Sequence, residues 1–164
     1  MIDTTKVQGR RAVRYATVAD MIADARACVA ARQLEQLGNW SVGRAMNHVA
    51  AWIEYPFVGY PPELVIPEEM KAQAKLVKTR LMQAAMQPGE RLPGLEAGTL
   101  ATEDVAAAVG LARLERAAAM PVSGGPDDPA PVPDPAFGVV TLHEWTEISL
   151  RHAELHMSFF VVRE

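Results

Sequence analysis

Six of the chain's twelve prolines fall between Pro121 and Gly138, together with Ser123-Gly124-Gly125. Proline fixes its own φ, lacks an amide hydrogen and pushes the preceding residue out of the helical region, so no helix can run through such a segment. It reads as an extended connection and not as a domain. It also isolates a last helix and gives that helix a long return path to the rest of the chain.

On either side of this run the pattern is helical. Aromatics make up only 6% of 164 residues, Ala and Met are abundant, and apolar/polar alternation rarely persists. That composition favours helices over strands. Thr17-Val18-Ala19-Asp20 has the form of a capping box, and Val18, Met21, Ile22, Ala25, Val29 and Leu34 follow at helical spacing, which predicts a first helix from about Val18 to Leu37 closed by Gly38. Ser41 can cap a second helix with a stripe of Val42, Ala45, Met46, Val49, Trp52 and Ile53, ended by Gly59 and Pro61-Pro62. Pro67-Glu68-Glu69 starts a shorter accessory helix, and Thr102-Glu103-Asp104 starts an alanine-rich one reaching about Ala119. Thr141-Leu142-His143-Glu144 is a second capping box, and Trp145, Ile148, Ser149, His152, Leu155, His156 and Phe159 carry the last helix nearly to the C-terminus. Four long helices with a proline-rich return predict an all-α four-helix bundle, one domain over residues 1–164.

Charge and cysteine usage narrow the function classes. With 16 Lys+Arg against 20 Asp+Glu the net charge is −4, so no overall basic field is available for nucleic acid or an anionic membrane. Lys71, Lys75, Lys78 and Arg80 share a helix but are offset by nearby acids. The single cysteine, Cys28, allows no internal disulfide and sits among Ala and Val as a small buried hydrophobe. The N-terminus lacks the layout of a signal peptide, and no stretch approaches the roughly 18 apolar residues of a membrane span. A cytoplasmic protein is the expectation. Glycine-rich phosphate loops, nucleophile elbows and Cys-x-x-Cys pairs are absent, and His143-Glu144-Trp145-Thr146-Glu147 has glutamate where a zinc-protease helix needs its second histidine.

The histidines carry the remaining signal. His152 and His156, four residues apart, differ by about 40° around a helix and stack on one face. That face also bears Trp145, Ser149, Leu155 and Phe159, so the two rings point inward, where an unpaired polar group is costly. His48 lies in phase with Ala45, Trp52 and Tyr55 on the inward stripe of the second helix. Three inward imidazoles from two helices suit one divalent ion with positions left open, although such histidines also occur as hydrogen-bonded core residues. His143 lies about 180° from His152 and is expected in solvent. Trp40, Trp52 and Trp145 are core residues by default, with Trp52, Tyr55, Trp145 and Ser149 also candidate walls of a substrate pocket.

Several blocks resemble a known family. Leu37-Gly38-Asn39-Trp40-Ser41-Val42-Gly43-Arg44-Ala45-Met46-Asn47-His48-Val49-Ala50 with Trp52-Ile53-Glu54-Tyr55 resembles the second-helix signature of the DinB-like superfamily. Pro88-Gly89-Glu90-Arg91-Leu92-Pro93, Pro135-Ala136-Phe137-Gly138, Thr141 with Glu144-Trp145, and Arg151 through Phe159 are similar to later blocks of a bacterial subfamily catalogued as a domain of unknown function. The resemblance implies an up-down-down-up bundle holding a divalent metal, often nickel or zinc, on one histidine of helix two and an H-x-x-x-H pair of the last helix. The matching positions are His48, His152 and His156. Asp134 and Leu155 stand where members often carry further histidines, neither of them a ligand position.

Some superfamily members resemble metal-dependent transferases or isomerases that use low-molecular-weight thiols. Two readings follow: a small-molecule metalloenzyme of that kind, or a non-catalytic bundle whose metal is structural or absent. A homodimer is compatible with Met- and Ala-rich faces.

Overall fold

The computed structural model describes residues 1–62, 64–89, 103–120 and 124–163. Among them are a 3₁₀ turn at Thr4–Lys6 and the elements α1 (Val18–Ala30), β1 (Gln33–Gln36), α2 (Val42–Val58), α3 (Glu68–Gln83), α4 (Ala107–Ala118), α5 (Leu142–Met157) and β2 (Phe160–Arg163). The chain is mainly helical, as its composition requires. The all-α expectation is corrected by a small two-stranded sheet, and the up-down-down-up order remains an implication of the resemblance.

The local signals that held are side-chain caps. In α1 the Thr17 hydroxyl accepts from the Asp20 amide while the Asp20 carboxylate takes the Thr17 amide at 2.8 Å. The same reciprocal box joins Thr141 and Glu144 at the start of α5. Ser41 caps α2, which closes at Gly59, whose φ of 97° is a conformation suited to glycine.

The helix from Glu68 is not the shorter accessory one expected: α3 has 16 residues against 13 in α1 and 12 in α4, so the described residues hold five helices where four long ones were expected. Two other expected lengths are wrong for one reason. The first helix stops at Ala30 and the last at Met157, because Gln33–Gln36 and Phe160–Arg163 pair as antiparallel strands with Gln36 opposite Phe160. Phe160, Val161 and Val162 are aromatic and β-branched, types that fit a strand better than a helix. The pairing also satisfies backbone groups that fraying helix ends would leave open. Gly38 then packs against Phe159, and the Leu37 amide donates to the Phe159 carbonyl at 2.9 Å. The alanine-rich helix begins at Ala107 and not beside Thr102, which lies outside the described residues.

Glycines set the closest helix approach. A Cβ built on Gly43 would stand 2.0 Å from the Val105 carbonyl oxygen, and one on Gly110 would stand 2.4 Å from the Gly43 carbonyl oxygen. Only hydrogen fits at either position, and α2 and α4 meet there backbone to backbone. Two apolar clusters draw on both α2 and α5. One includes Trp52, Tyr55, Phe137, Trp145 and Ile148, and the other Met46, Val49, Leu150, Ala153 and Phe160.

Where it is described, the proline-rich connection folds back onto the body. Val132 donates to the carbonyl of Pro56, Ala130 to that of Val140, and the Asp134 carboxylate accepts from Ala136 and Phe137 at 2.8 Å each. Burial raises the Asp134 carboxyl, outweighing those two amides and the nearby Tyr60 hydroxyl, which lower it.

The segment before α1, which carries no sequence motif, is tied down by charge. Arg11 makes a bidentate pair with Asp24 at 2.7 and 2.9 Å, and the Tyr15 hydroxyl donates to the same carboxylate at 2.6 Å. On α5, Arg151 and Glu154 form a buried pair, 3.0 Å apart, that clamps Tyr15: its amide donates to Glu154 and its carbonyl accepts from Arg151.

Candidate metal centre

The geometry of α5 brings His152 and His156 together, and the packing of α2 beside it supplies His48. His48 Nε2 lies 3.2 Å from His152 Nε2, and His156 Nε2 lies 2.9 Å from the same atom. All three ligand atoms fall within 4.8 Å of one another. His48 is 9% exposed, and His152 and His156 are partly buried. Three nitrogens bound to one zinc ion at about 2.0–2.1 Å and tetrahedral angles stand about 3.4 Å apart, against 3.2 and 2.9 Å for the two separations that involve His152.

Hydrogen bonding alone does not account for this arrangement. A neutral imidazole nitrogen has one lone pair or one hydrogen, so His152 Nε2 can make only one well-formed bond to its two nitrogen neighbours. A cation at the centre would satisfy all three lone pairs at once. Burial, and then the neighbouring histidines, hold His152 and His156 well below the usual imidazole range, which keeps both rings in the neutral form a metal requires.

Aromatic rings pack around the cluster. Trp40 stacks on His156 with centroids 4.9 Å apart and planes 3° from parallel, and meets His48 edge-on at 5.0 Å. Trp52 lies 5.6 Å from His152, and a file of rings continues through Tyr55 and Tyr60 to Trp145.

Of the expected pocket walls, Trp52 touches the histidines directly and Tyr55 touches Trp52, whereas Trp145 lies further along, against Tyr60. Ser149 is buried on the same face of α5, and among the described residues its hydroxyl has no partner and the indole nitrogens of Trp52 and Trp145 have no acceptors. His143 is exposed in the first turn of α5, as its phase requires.

Trp40 is the residue that sequence reasoning undervalued. It precedes the Ser41 cap, outside any helix, so helical phase gives no indication of where its ring goes. The available signal was its place within the block over residues 37–50 that carries His48.

The model of the family described as "Protein of unknown function (DUF1569)" matches residues 7–163. The chain belongs to this family. The match spans the first helix, the three histidines and the strand that follows α5, so the centre lies inside the DUF1569 unit. No curated protein and no solved structure matches the chain. Among the described residues no helix is long and apolar enough to cross a membrane.

Proposed function

We propose that this DUF1569 protein binds one divalent metal ion, zinc or nickel, through His48, His152 and His156, and uses it on a small-molecule substrate. The convergence of three imidazole nitrogens from two helices carries this reading. The resemblance to the DinB-like superfamily supports it, because the same three positions match the metal ligands implied there. When bound, such an ion supplies an open coordination position that favours the thiolate of a low-molecular-weight thiol or activates water.

The chain's own residues do the rest. The helical i, i+4 spacing fixes two ligands before any metal arrives, and Trp40 and Trp52 hold the rings in place and screen them from water. Cys28 is not a nucleophile in this scheme. It is buried, and burial followed by the Asp24 charge pushes its thiol up, so any thiol chemistry uses a thiol brought by the substrate. The reading expects a cytoplasmic protein, alone or as a homodimer, acting without nucleic acid or membrane.

Zinc or nickel should copurify with the wild type, and a His152→Ala, His156→Ala double variant should lose it. A wild type that takes up neither ion from metal-replete buffer ends the proposal. A structural ion would instead need a fourth protein ligand. Among the described residues the cluster offers three, and a cobalt-substituted sample whose spectrum ignores azide and thiols would favour the structural reading.

A further inference from the structure

Arg44 lies one turn before His48 on α2 and is placed unlike the ion-paired arginines of this chain. Arg11, Arg26, Arg113, Arg151 and Arg163 each face a carboxylate within 3.0 Å. Among the described residues Arg44 has no such partner: its Nε is buried without an acceptor, and its guanidinium lies over the Trp40 ring at 5.0 Å. The other neighbours of that ring are His156 and His48. Guanidinium, indole and imidazole therefore form one stack that ends at the candidate metal centre.

Among the described residues no carboxylate pairs with Arg44, and Asp104 and Glu103 on the adjoining segment accept instead from Ser41 and Asn47. Imidazoles bind metal as neutral ligands, and the three-histidine group includes no carboxylate or thiolate to offset a divalent ion. Arg44 adds a permanent positive charge across the Trp40 ring from it, in a partly buried setting where unpaired charge is costly. A ligand that brings negative charge relieves both. The planar guanidinium fork matches a carboxylate in two parallel hydrogen bonds, and the indole beneath holds that plane in place.

We propose that Arg44 binds a carboxylate of the substrate, so that the substrate is a small organic anion reaching from this guanidinium to the open side of the metal centre. This rests on the metal-binding reading above and adds the substrate class to it.

Cobalt(II)-loaded protein titrated with 3-mercaptopropionate and with 2-mercaptoethanol, followed by the cobalt–thiolate absorption and by calorimetry, tests it. The two probes share a thiol, and only the first carries a carboxylate. The wild type should bind the acid roughly tenfold or more tightly than the alcohol. Arg44→Gln should abolish that preference by weakening the acid alone, with cobalt stoichiometry unchanged. Arg44→Lys, which keeps the charge and loses the fork, should restore only part of it. A wild type that does not respond to the acid or does not discriminate, or an Arg44→Gln variant that keeps the full preference, overturns the assignment of Arg44 while leaving cobalt binding intact. A wild type that takes up no cobalt overturns the metal reading and this inference together.

Discussion

Replacing Gly43 with alanine sets two effects of opposite sign against each other. Gly43 is inside α2, where alanine is worth roughly 0.5–1 kcal/mol more than glycine on helix propensity. The added methyl, however, would lie 2.0 Å from the Val105 carbonyl oxygen and 2.9 Å from the Ala106 carbonyl carbon. These are backbone atoms, with no rotamer to change, so the segment leading into α4 must move outward by more than about 1 Å to reach ordinary carbon–oxygen contact. Overpacking of this kind costs about 1–3 kcal/mol, and a rigid neighbour places it at the upper end. The net expectation is a loss of about 2 kcal/mol, a Tm lower by about 4–8 °C for a chain of this size. Thermal and urea unfolding followed by far-UV circular dichroism would measure it, with Gln73→Ala on the exposed face of α3 as a control expected within about 0.5 kcal/mol of wild type. Gly43→Ala at or above wild-type stability would refute the backbone contact between α2 and α4.

Asp24→Asn should cost about 1–3 kcal/mol at pH 7, because the pair it breaks with Arg11 is bidentate and mostly buried. Burial raises the Asp24 carboxyl, but the hydrogen bonds from Arg11 and Tyr15 and the Arg11 charge prevail and leave it below its ordinary value. A depressed folded-state value means that the unfolded chain binds the proton more readily. The contribution is therefore complete above about pH 4 and fades as pH falls through the folded-state value, so the gap between wild type and variant should close in acid. A gap that widens in acid would reverse the sign. Ser149→Ala should be neutral or stabilising by up to about 1 kcal/mol, since it removes a buried hydroxyl that has no partner among the described residues. A loss beyond about 1 kcal/mol in urea unfolding would mean that the hydroxyl is bonded in solution.

The features legible in the sequence are those decided within one helical turn or two. The Thr17/Asp20 and Thr141/Glu144 boxes fixed two helix starts, and the spacing of His152 and His156 on α5, with the phase of His48 on α2, selected three histidines that the structure brings together. Leu34 fits the helical stripe of α1 yet belongs to β1, because its partner Val162 lies at the far end of the chain and no local pattern reports it. Trp40 and Arg44 escaped for a related reason. Their contacts run from a non-helical turn to a neighbouring helix, and phase cannot anticipate those. The strap through Arg11 and Tyr15 depends on Asp24, Arg151 and Glu154, three charged residues that read in isolation as ordinary helix surface.

The ladder between β1 and β2 also bears on the order in which the molecule assembles. It joins Gln33–Gln36 to Phe160–Arg163, and closing so long a loop ahead of the helices costs about 4 kcal/mol of chain entropy. A two-stranded ladder is marginal in water by itself and cannot offset that. The ladder should therefore close only after the helices between have packed. Until then Trp40, tethered just beyond β1, has no fixed path to His156. The HxxxH pair forms with its own helix, whereas its aromatic cover is among the last contacts of folding.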